Sequence, residues 1–166
     1  MSLPFAGYYD TGYKIGLFLH VLFVVLAFGP TFGYGILFGV LPQYPQAAPA
    51  ILAGIQRVDR YLVNPGSIIV LIAGIYLLAA SDSVWDGSDA FIVVGFIAIL
   101  ALLGLQHAYF QPHVRKLKEL AERDLKSGDT LSPEFQAIGK QVGNVGMIAG
   151  LTVVVTIFFM TYKPFM

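Results

Sequence analysis

Cysteine is absent from the 166-residue chain, which rules out disulfides, thiolate metal sites and iron–sulfur clusters. Charge is scarce: Asp, Glu, Lys and Arg make up 12% of the residues, against about 25% in a soluble domain. The ten basic and ten acidic residues cancel, so a nucleic-acid partner has no electrostatic support. No strand-like alternation of apolar and polar residues marks the long apolar runs, which argues against a transmembrane barrel. No basic stretch precedes the first apolar run and no small-x-small site follows it, so it reads as a retained helix and not as a cleaved leader.

Hydrophobic residues make up 57% of the chain, and the mean hydropathy is +0.73. No charged residue occurs in 15–56, 61–81, 90–114 or 141–162. Crossing a hydrocarbon core of about 30 Å takes roughly 20 apolar residues in helical form. The first run is longer, but the prolines of "LPQYPQAAP" (41–49) interrupt it. The expected fold class is therefore all-α: one integral membrane domain, 1–166, with four transmembrane helices over about 13–40, 62–81, 89–110 and 139–161. The second helix is expected to begin before its span and to kink at Asn64–Pro65. A cytoplasmic helical connection over 111–138 should end its first helix at Ser127–Gly128. The next helix should start with Ser132 as cap, Pro133 and Glu134.

Lys and Arg cluster in 111–140 and just before the second span, whereas the loop 81–89 carries Asp82, Asp86 and Asp89. Basic loops stay inside, so both termini are expected outside, with the chain multi-pass in the bacterial inner membrane. Trp85, Tyr8, Tyr9, Tyr13 and Tyr162 would form the outer aromatic belt. Gly29/Gly33, Gly35/Gly39 and the series Gly139, Gly143, Gly146 and Gly150 are read as close-packing helix faces, suited to the bundle itself, to a homo-oligomer or to other membrane subunits. Pro30 predicts a kink, with Thr31 available for the freed carbonyl. Arg57, Asp59 and Arg60 read as an interfacial cluster with a local salt bridge, against the sharper reading of an ion gate.

Three histidines remain. His20 lies about 10 Å below the outer boundary and His107 about 25 Å down, so one metal cannot hold both. His113 falls among inner headgroups. Tyr76, Gly95 and Thr156 lie at the depth of His20. Either Tyr76 or Thr156 hydrogen-bonds the ring, or the neutral imidazole is the axial ligand of a haem, with Gly74 and Gly95 leaving space for the macrocycle. A copper site is disfavoured, since soft copper sites use Cys and Met.

"YKIGLFLHVLFVVLAFG", "AYFQPHVRKLKEL" and "FFMTYKPF" together resemble a large family of predicted bacterial integral membrane proteins of unknown function. At a distance the pattern is similar to the membrane domain of CopD copper-resistance proteins and to HemJ-type protoporphyrinogen oxidases, which bind haem b. The HemJ resemblance implies haem binding through a first-helix histidine, the position of His20. That family's lysine near the start of the third helix and its Arg-x-x-Asn-Glu-x-Pro motif are missing here; only Asn144 remains, which argues against the oxidase activity. The sequence therefore points to a haem-associated membrane protein, to a non-catalytic accessory or anchoring subunit, or to a small-solute transporter with a cavity at Pro30.

Overall fold

A computed structural model describes residues 10–82 and 84–164. Its elements are α1 (Thr11–Val40), α2 (Ala48–Val58), α3 (Asn64–Ala79), α4 (Ala90–Leu105), α5 (Gln111–Ser127) and α6 (Pro133–Tyr162). There is no strand among the described residues. Four helical rods are long and apolar enough to cross a membrane: Thr11–Val40, Pro45–Ala79, Ala90–Ser127 and Pro133–Tyr162. The fold is an all-α bundle of four such rods, as the charge-free runs imply.

Two of the rods are longer than a bilayer needs. At 1.5 Å per residue, the 38 residues of Ala90–Ser127 reach about 57 Å. The excess is α5, whose 17 residues include eight charges. Its apolar positions Val114, Leu117, Leu120 and Ala121 fall on one stripe and are buried. That stripe packs on α2, whose Leu52 and Ile55 face it. Leu41, Leu131 and Phe135 complete a core outside the apolar spans, which Val142 joins from the start of the fourth span. The molecule thus has two solvents: lipid around α1, α3, α4 and α6, and water around the α2–α5 pair.

Each long rod changes helical type where it enters its apolar span. Asp59–Val63 forms a π-turn between α2 and α3, and Gln106–Phe110 forms one between α4 and α5. Both end at a polar residue followed by proline, Asn64–Pro65 and Gln111–Pro112. A proline inside a helix donates no hydrogen bond and its ring crowds the carbonyl four residues back. Widening the turn by one residue relieves this: the Asn64 N–H reaches the Asp59 carbonyl, and the Gln111 N–H reaches that of Gln106. The sequence pattern anticipates the first irregularity and misses the second.

The helix ends follow from capping chemistry. The Asp10 carboxylate accepts from the Gly12 N–H at 2.9 Å and starts α1. The Ser132 hydroxyl accepts from the Phe135 N–H at 3.3 Å and starts α6, followed by Pro133 and Glu134 as expected. α5 ends at Ser127. Pro30 stays inside a continuous α1, and the Thr31 hydroxyl donates to the Phe28 carbonyl at 2.6 Å.

Helix approach uses glycines other than those of the GxxxG pairs. A Cβ on Gly29, Gly33, Gly35, Gly39, Gly139 or Gly143 would meet nothing within 4 Å. A Cβ on Gly66 would stand 3.0 Å from that of Ala27, at the crossing of α1 and α3, and one on Gly16 would enter the Tyr76 ring. The pairs Gly29/Gly33 and Gly35/Gly39 therefore do not pack this bundle. The reason is register: neither pair falls where α1 crosses α3, which is at Ala27 and Gly66.

Tyr13, Trp85 and Tyr162 lie at the end of the bundle that carries the acidic loop, and the Trp85 indole N–H donates to the Tyr13 hydroxyl at 3.3 Å. Tyr8 and Tyr9 lie outside the described residues. The beginning of α1 and the end of α6 share this end, and the basic α5 lies at the other.

Candidate functional site

The half of the bundle nearest the acidic loop encloses a cavity of about 480 Å³, open along one side. Its walls come from α1, α3, α4 and α6 and are almost wholly apolar. His20, Gly74, Gly95, Thr156 and Met160 line it, with Lys163 at the rim. The volume falls within the range of small-molecule sites, about 300–1,000 Å³.

His20 is the cavity's chemically distinctive group. Its Nδ1 lies 3.1 Å from the Val70 carbonyl oxygen. A carbonyl only accepts, so Nδ1 carries the proton and Nε2 keeps its lone pair. Gly74, one turn beyond Val70, permits this approach: a Cβ there would stand 3.4 Å from His20 Cε1. The partner expected from depth alone, Tyr76 or Thr156, is not the one found. Thr156 donates to the carbonyl of Thr152 in its own helix, at 2.8 Å. Tyr76 lies outside the cavity, on a shallow groove with Gly12, Gly16 and Ile72, because its ring fills the space over Gly16. Depth counting places residues along the membrane normal but not around each helix. It brings His20, Gly95 and Thr156 to one cavity and leaves Tyr76 on the far side of α3.

Gly95 leaves room for a side chain of the protein itself: the Met160 methyl occupies the position that a Cβ would take. The space beside Gly74 is likewise taken by His20. The open space lies between these groups, in the cavity.

His107 and His113 sit elsewhere. His107 Nδ1 is 3.0 Å from Gln111 Nε2. His113 donates to the Tyr109 carbonyl at 2.7 Å and stacks on the Tyr109 ring at 4.1 Å. Among the described residues, no three His, Asp or Glu side chains converge as a metal site would require.

The interfacial cluster differs from its expected form. Asp59 makes no salt bridge with Arg57 or Arg60; it is 5% exposed and accepts from the Tyr34 hydroxyl at 2.8 Å. The π-turn turns its carboxylate inward toward α1, away from the arginines. Gln106, which opens the other π-turn, faces the same carboxylate, although its buried Nε2 completes no hydrogen bond, and Asn64 Oδ1 is also buried without a partner. The sequence signal for this cluster was an acidic and a polar residue each standing six positions before a proline.

At the cavity rim, Lys163 is the first residue after α6, in a left-handed conformation (φ 46°). Its Nζ lies 3.6 Å from the Trp85 ring centroid. Burial lowers its pKa from the ordinary lysine value, and the Asp89 carboxylate opposes that shift.

Residues 15–164 match DUF2269, a family of predicted integral membrane proteins. The chain belongs to that family. No curated protein and no solved structure gives a match. Membership and the four rods agree: this is an integral membrane protein in contact with lipid.

Proposed function

We propose that this membrane protein binds haem b in the His20 cavity, where the His20 imidazole would hold the iron. One observation carries the reading. The Nδ1–H bond to the Val70 carbonyl fixes the tautomer and leaves Nε2 as a Lewis base beside an apolar space. This hydrogen bond to the remote nitrogen orients metal-ligating imidazoles and raises their basicity. The residues fit the group: one free imidazole nitrogen, apolar walls, and a volume in the range of ligand sites. Bound there, a haem would supply one-electron redox chemistry. The chain's part would be to hold the imidazole, keep water from the iron and leave one edge open toward lipid. The resemblance of "LFLHVLFVV" to the HemJ-type first helix supports the same assignment. The orientation that suits it places the cavity toward the outer face of a bacterial inner membrane, with α2 and α5 in the cytoplasm.

The test is the absorption spectrum of protein purified from haem-replete cells. A Soret band that is lost or shifted in His20→Ala is expected. Absence of the band, or an identical band in His20→Ala, removes the assignment.

A second reading, an accessory or anchoring subunit, has its own support. Gly35 and Gly39 are exposed with open space above them, as a helix of another subunit would require. Purification in mild detergent should then yield a defined complex; a monodisperse monomer counts against it. The transport reading has less to stand on, since the cavity wall on α1 ends at Phe28 and does not include Pro30.

A further inference from the structure

The haem assignment leaves the cavity rim without a role. Lys163 is held there by three features. Lys163 caps α6 in a left-handed conformation and lines the cavity. Its ammonium rests on Trp85, with the Phe91 centroid 5.2 Å away. Trp85 is itself fixed, by its N–H bond to Tyr13 and by an edge-on contact with Phe91 at 5.4 Å. Among the described residues Lys163 forms no ion pair; the Asp89 carboxylate acts on it only through space. An ammonium that is partly drawn out of water and touches no carboxylate keeps its N–H donors available to an arriving anion. Every other lining residue of the cavity is uncharged. A ligand that satisfies both the walls and the rim is apolar along its length and anionic at one end.

We infer that Lys163 binds a carboxylate of the cavity's ligand, which for haem is a propionate. This rests on the haem reading for the identity of the ligand. A lysine that merely covers aromatic surface would be indifferent to the ligand's charge. One that binds a carboxylate contributes a charge-assisted hydrogen bond.

The test uses metal-free protoporphyrin IX and its dimethyl ester, titrated into the purified full chain and followed by porphyrin fluorescence. Lys163→Met should weaken binding of the diacid about tenfold, the loss of one hydrogen bond to a charged group. Lys163→Arg should retain binding. The ester should bind wild type and Lys163→Met alike. Equal diacid affinity in wild type and Lys163→Met overturns the inference, as does failure of wild type to bind either porphyrin. An unchanged thermal midpoint in Lys163→Met shows that folding is not the cause of any loss. The metal-free ligand has no iron for the imidazole, so these titrations read the Lys163 end of the cavity without any contribution from iron ligation. Failure of His20 ligation therefore appears in the haem spectrum, and failure of the anchor appears only in the porphyrin pair.

Discussion

Asp59 has one strong partner, the Tyr34 hydroxyl at 2.8 Å, in a site closed to water. Removing that donor leaves a buried carboxylate with only the poorly aligned Gln106 amide. Tyr34→Phe should cost about 1.5–3 kcal/mol, the range for hydrogen bonds to charged groups. Reversible unfolding in mixed micelles measures it, and a change below about 0.5 kcal/mol would show that the carboxylate finds other partners. The glycines give a paired test. Gly66→Ala should destabilise by about 1–3 kcal/mol through overpacking against Ala27. Gly35→Ala, with nothing within 4 Å, should be neutral or stabilising in the isolated chain, by at most about 1 kcal/mol. A Gly35→Ala variant that loses stability only in the native membrane would locate a helix of another subunit. At this scale the sequence was legible where chemistry is local. Ser132 as a cap follows from its neighbours. The Val70 carbonyl, fifty positions from His20 and of a type every residue carries, left no mark that reading could find.

Among the elements, the α2–α5 pair is the part that behaves like a soluble protein. Leu117 is fully buried there, and Leu117→Ala should cost about 2–5 kcal/mol, read as a fall in unfolding midpoint. The junction with α6 depends on Asp124. Its carboxylate accepts from the Ser132 N–H at 2.8 Å and from the Arg123 guanidinium, also at 2.8 Å. The bonds from Ser132, aided by Arg123, hold its pKa down at about 2. A carboxyl whose folded pKa is depressed contributes stability above its unfolded value, and loses that contribution as pH falls toward the folded one. Thermal stability of the α5–α6 junction should therefore drop between about pH 4 and pH 2, and Asp124→Asn should flatten that part of the profile. An unaltered acid limb in Asp124→Asn would assign the drop to other carboxylates. Helix identity and ends were readable because apolar runs and capping residues are local signals. The π-turn at Gln106–Phe110 was not, since "QHAYFQP" carries the same apolar and polar mixture as an ordinary helix end. Its width is set by Pro112 and by packing against Asp59 together.

For the molecule as a whole, architecture was legible and contents were not. Lipid imposes long uncharged helices on any spanning sequence, so four runs suffice to give four rods. Which faces meet is decided by single glycines and a tyrosine ring, whose register a run of apolar letters conceals. The charge pattern predicts an orientation that is directly testable, because the chain has no cysteine of its own. Ser88→Cys, in the acidic loop, should react with an impermeant maleimide added to intact cells. Thr130→Cys, between α5 and α6, should react only after the membrane is opened. The reverse pattern would invert the bundle and put the His20 cavity on the cytoplasmic side.

The two rods that pass through π-turns join a lipid-embedded half to a water-facing half without a flexible joint. A thinner bilayer is met by greater tilt of its spans. Here α3 and α4 cannot lean without swinging α2 and α5, which are locked together by their shared apolar stripe. Such a lean would be carried to the α2–α5 pair through the π-turns at Asp59–Val63 and Gln106–Phe110, beside the unpartnered Asn64 and Gln106 amide atoms. With headgroups at the level of those turns, a change in membrane thickness would reach the water-facing pair as a rotation of both rods together.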